Sequence, residues 1–490
     1  MQSTSSNTAS QPANTLLKRL FVAQESGLVL VIVLLMTILT IFSGKKDQRD
    51  FIPIDAGTQV AETSGSITAT VKGGKQTFAT SDGWELRGGS ENQSVQRTRQ
   101  VNKFLNLENL MQILLFASFI AIMAVGITAV IIMSGIDLSI GSTYALAALI
   151  AAIALRYPWA TEGFPAAKIR ESTSLWYVFA IAGVGALVAR AVLTKLAHAK
   201  SATSPNTRSL SASAVPTALL WAGVGMLVAV AWQLIAAMHD TGRQVEGGLL
   251  AKSAMGAFGS LGLGLVVCLI IGAFCGWLNG NMVVGLRVHP FIITLGTMAA
   301  FRGITALPTQ AQSVGNFPDS FQNVIKWDAG NGITPVPILI MIVTCLAGVV
   351  VLSRTVIGRQ IYAIGGNETA ATYAGIPVGK VKKIVYTMMG ALAGLSAFAY
   401  LGYFGGAAPN AGEGYELKAI AAAVIGGASL SGGRGSALGA VLGAILVQLI
   451  DNAMVILEID QSYNKVVLGG AIIIAVVLDQ LKTRLVPVGK

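Results

Sequence analysis

This chain carries little charge. Asp, Glu, Lys and Arg together make up 12% of its 490 residues, against about 25% in a typical soluble domain, which excludes a soluble enzyme as the main reading. The chain has only three histidines, and no His or carboxylate pairs stand at metal-ligating or acid/base spacing, which argues against an integral-membrane enzyme. Its three cysteines, Cys268, Cys275 and Cys345, all lie inside apolar runs without a CxxC pattern. They read as inert buried thiols. No GxxxxGK[ST] phosphate loop occurs, and GGRG at 432–435 lacks both the lysine and the following hydroxyl. The chain therefore has no phosphate-binding loop with which to hydrolyse a nucleotide itself. Residues 1–16 are rich in Ser, Thr and Asn and carry no signal-peptide pattern, so 1–19 is read as a disordered cytoplasmic tail.

Apolar residues and glycine are abundant instead: 53% hydrophobic, with 56 glycines, as expected where membrane helices pack closely. The formal charge of +11 sits in short loops between apolar runs. That is the footprint of membrane topology, not of a nucleic-acid-binding face. Apolar runs fall near 27–42, 110–155 (broken by SGIDLSIGS at 134–142), 175–193, 215–238, 261–284, 291–304, 336–352, 385–403, 419–426, 437–456 and 466–478. Counted as spans, they predict an all-α integral membrane bundle of about twelve crossings, with the short Gly-flanked run at 419 as a broken or re-entrant helix. The polar stretch 44–107 is placed outside, with strand-like alternation over 64–80 around a turn at Lys72-Gly-Gly-Lys75.

Polar character in the C-terminal half gathers in RTVIGRQIYAIGGNETAATYAGIPVGKVKK, residues 354–383. Asn367 is a good N-cap, Glu368 lies in the first turn where the helix dipole favours an anion, and Gly375 with Pro377 closes the far end. The enclosed helix, 368–374, has about two turns, too few to hold alone in water, so it must dock. Its small residues Ala370, Ala371 and Ala374 would let another backbone approach. Arg354, Arg359, Lys380, Lys382 and Lys383 place the loop in the cytoplasm.

GRQIYAIGGNETAATYAGI at 358–376 resembles the cytoplasmic coupling loop of membrane permeases of bacterial ABC importers, in the ribose/xylose/galactoside branch. GIDLSIG at 135–141 and WLNGNMVVGLRVHPFIITLGTMAAFRG at 277–303 match two further signatures of that family. The resemblance covers about 20–43, 105–155 and 257–482. It implies a type II importer-like permease that works with a separate ABC ATPase, an extracytoplasmic sugar-binding protein and a second permease copy. The expected location is the cytoplasmic membrane of a bacterium, among lipid, with no cofactor and no nucleic acid. Gly358, Arg359, Gly365, Asn367, Glu368, Ala370, Ala371 and Gly375 are then the ATPase-coupling candidates. Asp137, Ser139, Phe291, Thr294 and Thr297 are carried as candidate substrate-path residues. A purely local reading has Asp137 and Ser139 cap the following helix, and the threonines fill a helix crossing.

Against the family pattern, 44–107 is an extracytoplasmic insertion, and 156–256 is a second one holding two extra helices. The remaining segments are membrane helices at 20–43, 108–155, 257–353 and 384–482, the coupling loop at 354–383, and a cytoplasmic tail at 483–490. GIDLSIGSTYALAALIAA at 135–152 aligns without gaps on GASLSGGRGSALGAVLGA at 427–444, and both copies fall on the cytoplasmic side, so the repeat is parallel. Lys418 stands where the family usually has an acid, and Glu416 or Glu413 would be its partner. The reading is therefore a monosaccharide permease. The alternatives are a branched-chain amino acid or nucleoside permease of the same superfamily, or an ion-coupled secondary transporter, which would need ionisable groups at midspan.

Overall fold

The computed structural model describes residues 24–156 and 257–471, apart from 56–59, 64, 72–73, 89–92, 308, 316–318 and 331–332, together with 473 and 477. The expected helices at 175–193 and 215–238, both tails and most of the run beyond 471 lie outside the described residues.

The first helix, α1 (Gln24–Phe42), is apolar on all sides. One stripe, Leu28, Ile32 and Leu39, is buried against Phe104, Ile113, Leu446 and Leu449, while Leu30 and Ile41 face outward. The chain then forms β1 (Lys45–Pro53), β2 (Ala61–Thr63), β3 (Ser66–Val71), β4 (Gly74–Ala79), β5 (Trp84–Arg87) and β6 (Ser94–Asn102). They make two antiparallel three-stranded sheets, ordered β1-β6-β5 and β2-β3-β4. The β3 side chains alternate between half-buried and buried along the strand, the period of two that a one-sided sheet requires. Ile67, Val71, Phe78 and Val95 form the small core between the sheets. All-α thus describes the bundle but not this module.

β1 continues α1 and β6 leads into the next helix, pairing over nine positions from Lys45–Asn102 to Pro53–Ser94. Asn102 stitches the junction. Its Oδ1 accepts from Ser43 Oγ (3.0 Å), Phe104 N (2.9 Å) and Leu105 N (2.7 Å), and its Nδ2 donates to Thr40 O (2.8 Å). The module therefore stands on the bundle without a slack linker.

The bundle comprises α2 (Leu107–Ile132), α3 (Ile140–Arg156), α4 (Ala257–Leu286), α5 (Pro290–Ala306), the short α6 (Asp319–Ile325), α7 (Pro335–Arg354), α8 (Val356–Gly366), α9 (Glu368–Tyr373), α10 (Val378–Phe404), α11 (Tyr415–Ile425) and α12 (Ala437–Ile456). Five of the described helices, α2, α4, α7, α10 and α12, are long and apolar enough to cross a membrane, and α1, α3 and α5 are shorter apolar helices. α2 lies at the centre, with almost every residue from Ala117 to Ile132 buried. α4 and α10 cross so closely that a Cβ on Gly272, Gly276, Gly390 or Gly394 would run into the facing backbone. Small residues supply that proximity where lipid gives no hydrophobic drive for helix association. α5 starts at Pro290, with His289 Nδ1 accepting from Phe291 N at 3.3 Å, so that histidine serves as a cap.

Candidate functional site: the capped helical segment and the loops it touches

The segment after α7 folds as two short helices in series. Thr355 Oγ1 accepts from Gly358 N (3.1 Å) and starts α8. Asn367 ends α8 and starts α9, its side chain accepting from Ala370 N at 2.9 Å. Gly375, at φ +81°, closes α9, with Gly375 N donating to Thr372 O and Ile376 N to Ala371 O, both at 3.0 Å. Only glycine adopts that left-handed turn without strain. Glu368 binds Lys382 of α10 through both carboxylate oxygens, at 2.7 and 2.8 Å.

The coupling candidates divide into two sets. Arg359, Asn367, Glu368, Ala370 and Gly375 face outward. Gly358, Gly365 and Ala371 face inward. A Cβ on Gly358 would overlap the carbonyls of Val351 and Leu352, and one on Gly365 would overlap Ile132 O and meet Gly433 N. Ala371, expected on the docking face, is 4% exposed. A helix this short must bury one position to hold its place, and Ala371 is that position. The outward face instead carries Tyr373, 88% exposed, which the small-residue pattern around it concealed.

α8 is wedged against two loops, one carrying GIDLSIG and the other GASLSGG. Tyr362 Oη donates to Gly435 O at 2.6 Å. The loops themselves touch, with Gly433 N donating to Ile132 O (2.8 Å) and Ser134 Oγ to Ser431 O (3.0 Å). α8, the stem of this segment, is thus joined to both.

Among the path candidates, Asp137, Ser139 and Thr294 come together. All three are fully buried. Asp137 Oδ1 accepts from Ser139 N and Ser139 Oγ, both at 2.7 Å. Asn279 Nδ2 of α4 reaches Ser139 Oγ at 2.7 Å and Asp137 Oδ2 at 3.5 Å. A buried carboxylate survives by collecting donors in this way. Ser139 O in turn accepts from Thr143 N at 2.8 Å, which starts α3. Thr294 Oγ1 donates to Pro290 O (3.0 Å) and reaches Ile136 O at 3.4 Å, as does Tyr386 Oη. Thr297 lies one turn further along the same buried stripe, while Phe291, in the first turn of α5, is 42% exposed. Asn279 is the partner that sequence reasoning missed, although it stands in the WLNGN stretch that opens the 277–303 signature.

Lys418 finds its counter-charge elsewhere than expected. Its Nζ lies 2.7 Å from Asp451 Oδ2 of α12, not on Glu416 or Glu413 of its own segment. Asp451 Oδ1 also accepts from Asn464 Nδ2 at 2.7 Å.

A glycine-crossed bundle with five described helices long and apolar enough to cross a membrane has the make-up of a multi-pass membrane protein. A family model described as "Branched-chain amino acid transport system / permease component" matches residues 109–477, and the chain belongs to that family. α1 and the β-module lie outside the match. The D-allose transport system permease protein of Escherichia coli K12 is 40% identical over 215 residues, 44% of this chain and 65% of that protein. The ribose import permease protein of the same organism is 36% identical over 237 residues, 48% of this chain and 74% of its own length. The autoinducer 2 import system permease protein of Klebsiella pneumoniae is 37% identical over 209 residues, 43% of this chain and 60% of its own length. No solved structure matches the chain.

Proposed function

We propose that this chain is the membrane-spanning permease of an ATP-driven importer for a monosaccharide or similar polyhydroxylated solute, in the cytoplasmic membrane of a bacterium. The observation that carries the reading is α9, a capped helix with one face outward, on a stem wedged between two loops of the bundle. An ATPase subunit grips the outward face around Ala370 and Tyr373, and α8 passes its displacement to the loops at Ile132 and Gly433. Solute moves because the bundle has two global arrangements that the ATPase biases in turn, not through covalent chemistry. Two copies of the permease form the path, and a soluble sugar-binding protein delivers solute at the outer face. The contact between the GIDLSIG and GASLSGG loops supports a parallel internal repeat, and the full chain crosses the membrane about twelve times. The sugar class rests on the allose and ribose permeases among the relatives.

The test is co-purification of the tagged full chain with its cellular partners, wild type against Ala370→Trp. Ala370 is exposed, so the indole blocks docking without entering the core. Wild type is expected to bring down a Walker-motif ATPase and the variant to lose it. Wild type that retains no ATPase, yet moves sugar down an ion gradient in liposomes, overturns the proposal.

A further inference from the structure

Four buried side-chain polar atoms lack a hydrogen-bond partner among the described residues: Thr143 Oγ1, the Tyr144 hydroxyl, Asn279 Oδ1 and Glu416 Oε2. Buried polar atoms are nearly always paired, so each orphan calls for a reason. Three of the four belong to the first turns of α3 and α11, and those two turns abut. A Cβ on Gly141 would overlap Glu416 Oε2 and the Gly412 carbonyl, and one on Gly412 would press on the Tyr144 ring.

The junction sits deep in the bundle. α11 has eleven residues, about 16 Å of helix, roughly half of a ~30 Å hydrocarbon core. Its C-terminal end runs into the loop held at Ile132 by Gly433 on the cytoplasmic side, so its N-terminal end lies near mid-depth. The start of α3 lies there with it. Discontinuous helices whose ends meet at mid-membrane are a recurrent way to build a solute site.

The chemistry at the junction is specific. The Tyr144 ring, fully buried, packs with Tyr400 and Tyr415 at centroid distances of 5.3 and 5.6 Å. Arg302 Nη1 donates to Pro409 O (3.0 Å) and Ala411 O (2.8 Å), which draws the chain preceding α11 inward. Glu413 and Glu416 lie close enough to interact with that guanidinium. Aromatic faces beside a carboxylate and free hydroxyls complement a sugar ring, which offers an apolar C–H face and a rim of hydroxyl donors and acceptors.

We infer that the junction of α3 and α11 is a mid-membrane station for a neutral polyhydroxylated ring, with Glu416 Oε2 and the hydroxyls of Tyr144 and Thr143 as its hydrogen-bonding groups. This rests on the permease reading above and adds residues to it. The groups that a passing solute satisfies are left unpaired while the helices are together.

The test uses the full chain with its own ATPase and binding protein, and reads uptake of radiolabelled D-ribose and D-allose alongside the melting temperature of the purified permease. The variants are Tyr144→Phe and Glu416→Gln, both close to isosteric. Removing an unpaired buried hydroxyl should leave Tyr144→Phe melting no lower than wild type, while maximal uptake falls about tenfold, the scale of one lost hydrogen bond. Glu416→Gln should lose uptake similarly while retaining the ATPase. Uptake within twofold of wild type in both variants overturns the station, as does a Tyr144→Phe protein that melts several degrees lower, since its hydroxyl would then be paired within the fold. A wild-type complex that moves neither sugar overturns the monosaccharide reading itself, and the station with it.

Discussion

Lys418 Nζ and Asp451 Oδ2 lie 2.7 Å apart between α11 and α12, with side chains 19% and 15% exposed. The pair ties the short half-helix to a full-length neighbour. Removing one partner strands the other charge in a largely dry site, which costs about 3–5 kcal/mol for buried pairs. Asp451→Ala and Lys418→Ala are therefore each expected to lower the melting temperature sharply, and Lys418→Met with Asp451→Leu to recover much of the loss. Thermal melts of the four proteins in one detergent check this. Additive losses in the double variant would show that the two charges are not coupled.

Glu368 and Lys382 behave differently although their contact is as short. The pair is exposed, at 54% and 21% of the side chains, and surface pairs are worth about 0–1 kcal/mol. Glu368→Ala is expected to leave the melting temperature nearly unchanged. Its effect should appear in coupling, because the pair links α9 to α10. ATP hydrolysis by the assembled complex should continue while uptake per ATP falls, and the swap Glu368→Lys with Lys382→Glu should restore part of it. Equal losses of hydrolysis and uptake would place the residue in ATPase docking instead.

Where local chemistry decides structure, the sequence is legible. Asn367, Gly375 and Pro377 delimit a helix because a cap, a left-handed closure and a missing donor each act within a few residues. The alternation over 66–71 marks a strand for the same reason. Partners across the bundle are not legible. Lys418 has two acids nearby in sequence, yet its counter-charge comes from 33 residues away, because α12 lies alongside α11 while Glu416 turns toward Gly141. Ala371 looks like its neighbours in composition, and only tertiary packing makes it the buried one. Asp137 and Ser139 announce a turn, but Asn279, 142 residues from Asp137, completes their network through the packing of α4.

Asp137 offers a test in which two substitutions at one site should differ. Asp137→Ala removes the acceptor for Ser139 N and Ser139 Oγ and the contact with Asn279. Buried donors left unmade cost about 1–3 kcal/mol each, so a large loss of stability is expected. Asp137→Asn keeps an acceptor for Ser139 N and Ser139 Oγ and leaves the Asn279–Ser139 bond in place, giving up only the long 3.5 Å contact with Asn279. The Asn variant should therefore melt much closer to wild type than the Ala variant. Equal losses would mean that the negative charge itself is required.

Gly365 and Gly366 make the sharpest comparison, since they are adjacent and chemically identical. A Cβ on Gly365 would overlap Ile132 O and crowd Gly433 N, whereas one on Gly366 meets nothing within 4 Å. Both lie at the end of α8 with ordinary helical or near-helical backbone, and neither has a positive φ, so conformational strain does not separate them. Only space does. Overpacking a site closed by backbone costs about 1–3 kcal/mol or pushes the elements apart. Gly365→Ala is therefore expected to lift α8 off the two loops, lowering the melting temperature and cutting uptake, while ATPase docking at the outward face of α9 persists. Gly366→Ala should be silent or slightly stabilising, because alanine is the better helix former. The readout is melting temperature, ATPase co-purification and uptake on the same two preparations. If Gly365→Ala matched Gly366→Ala in all three, α8 would not be wedged between the loops, and displacement of α9 would need another route into the membrane.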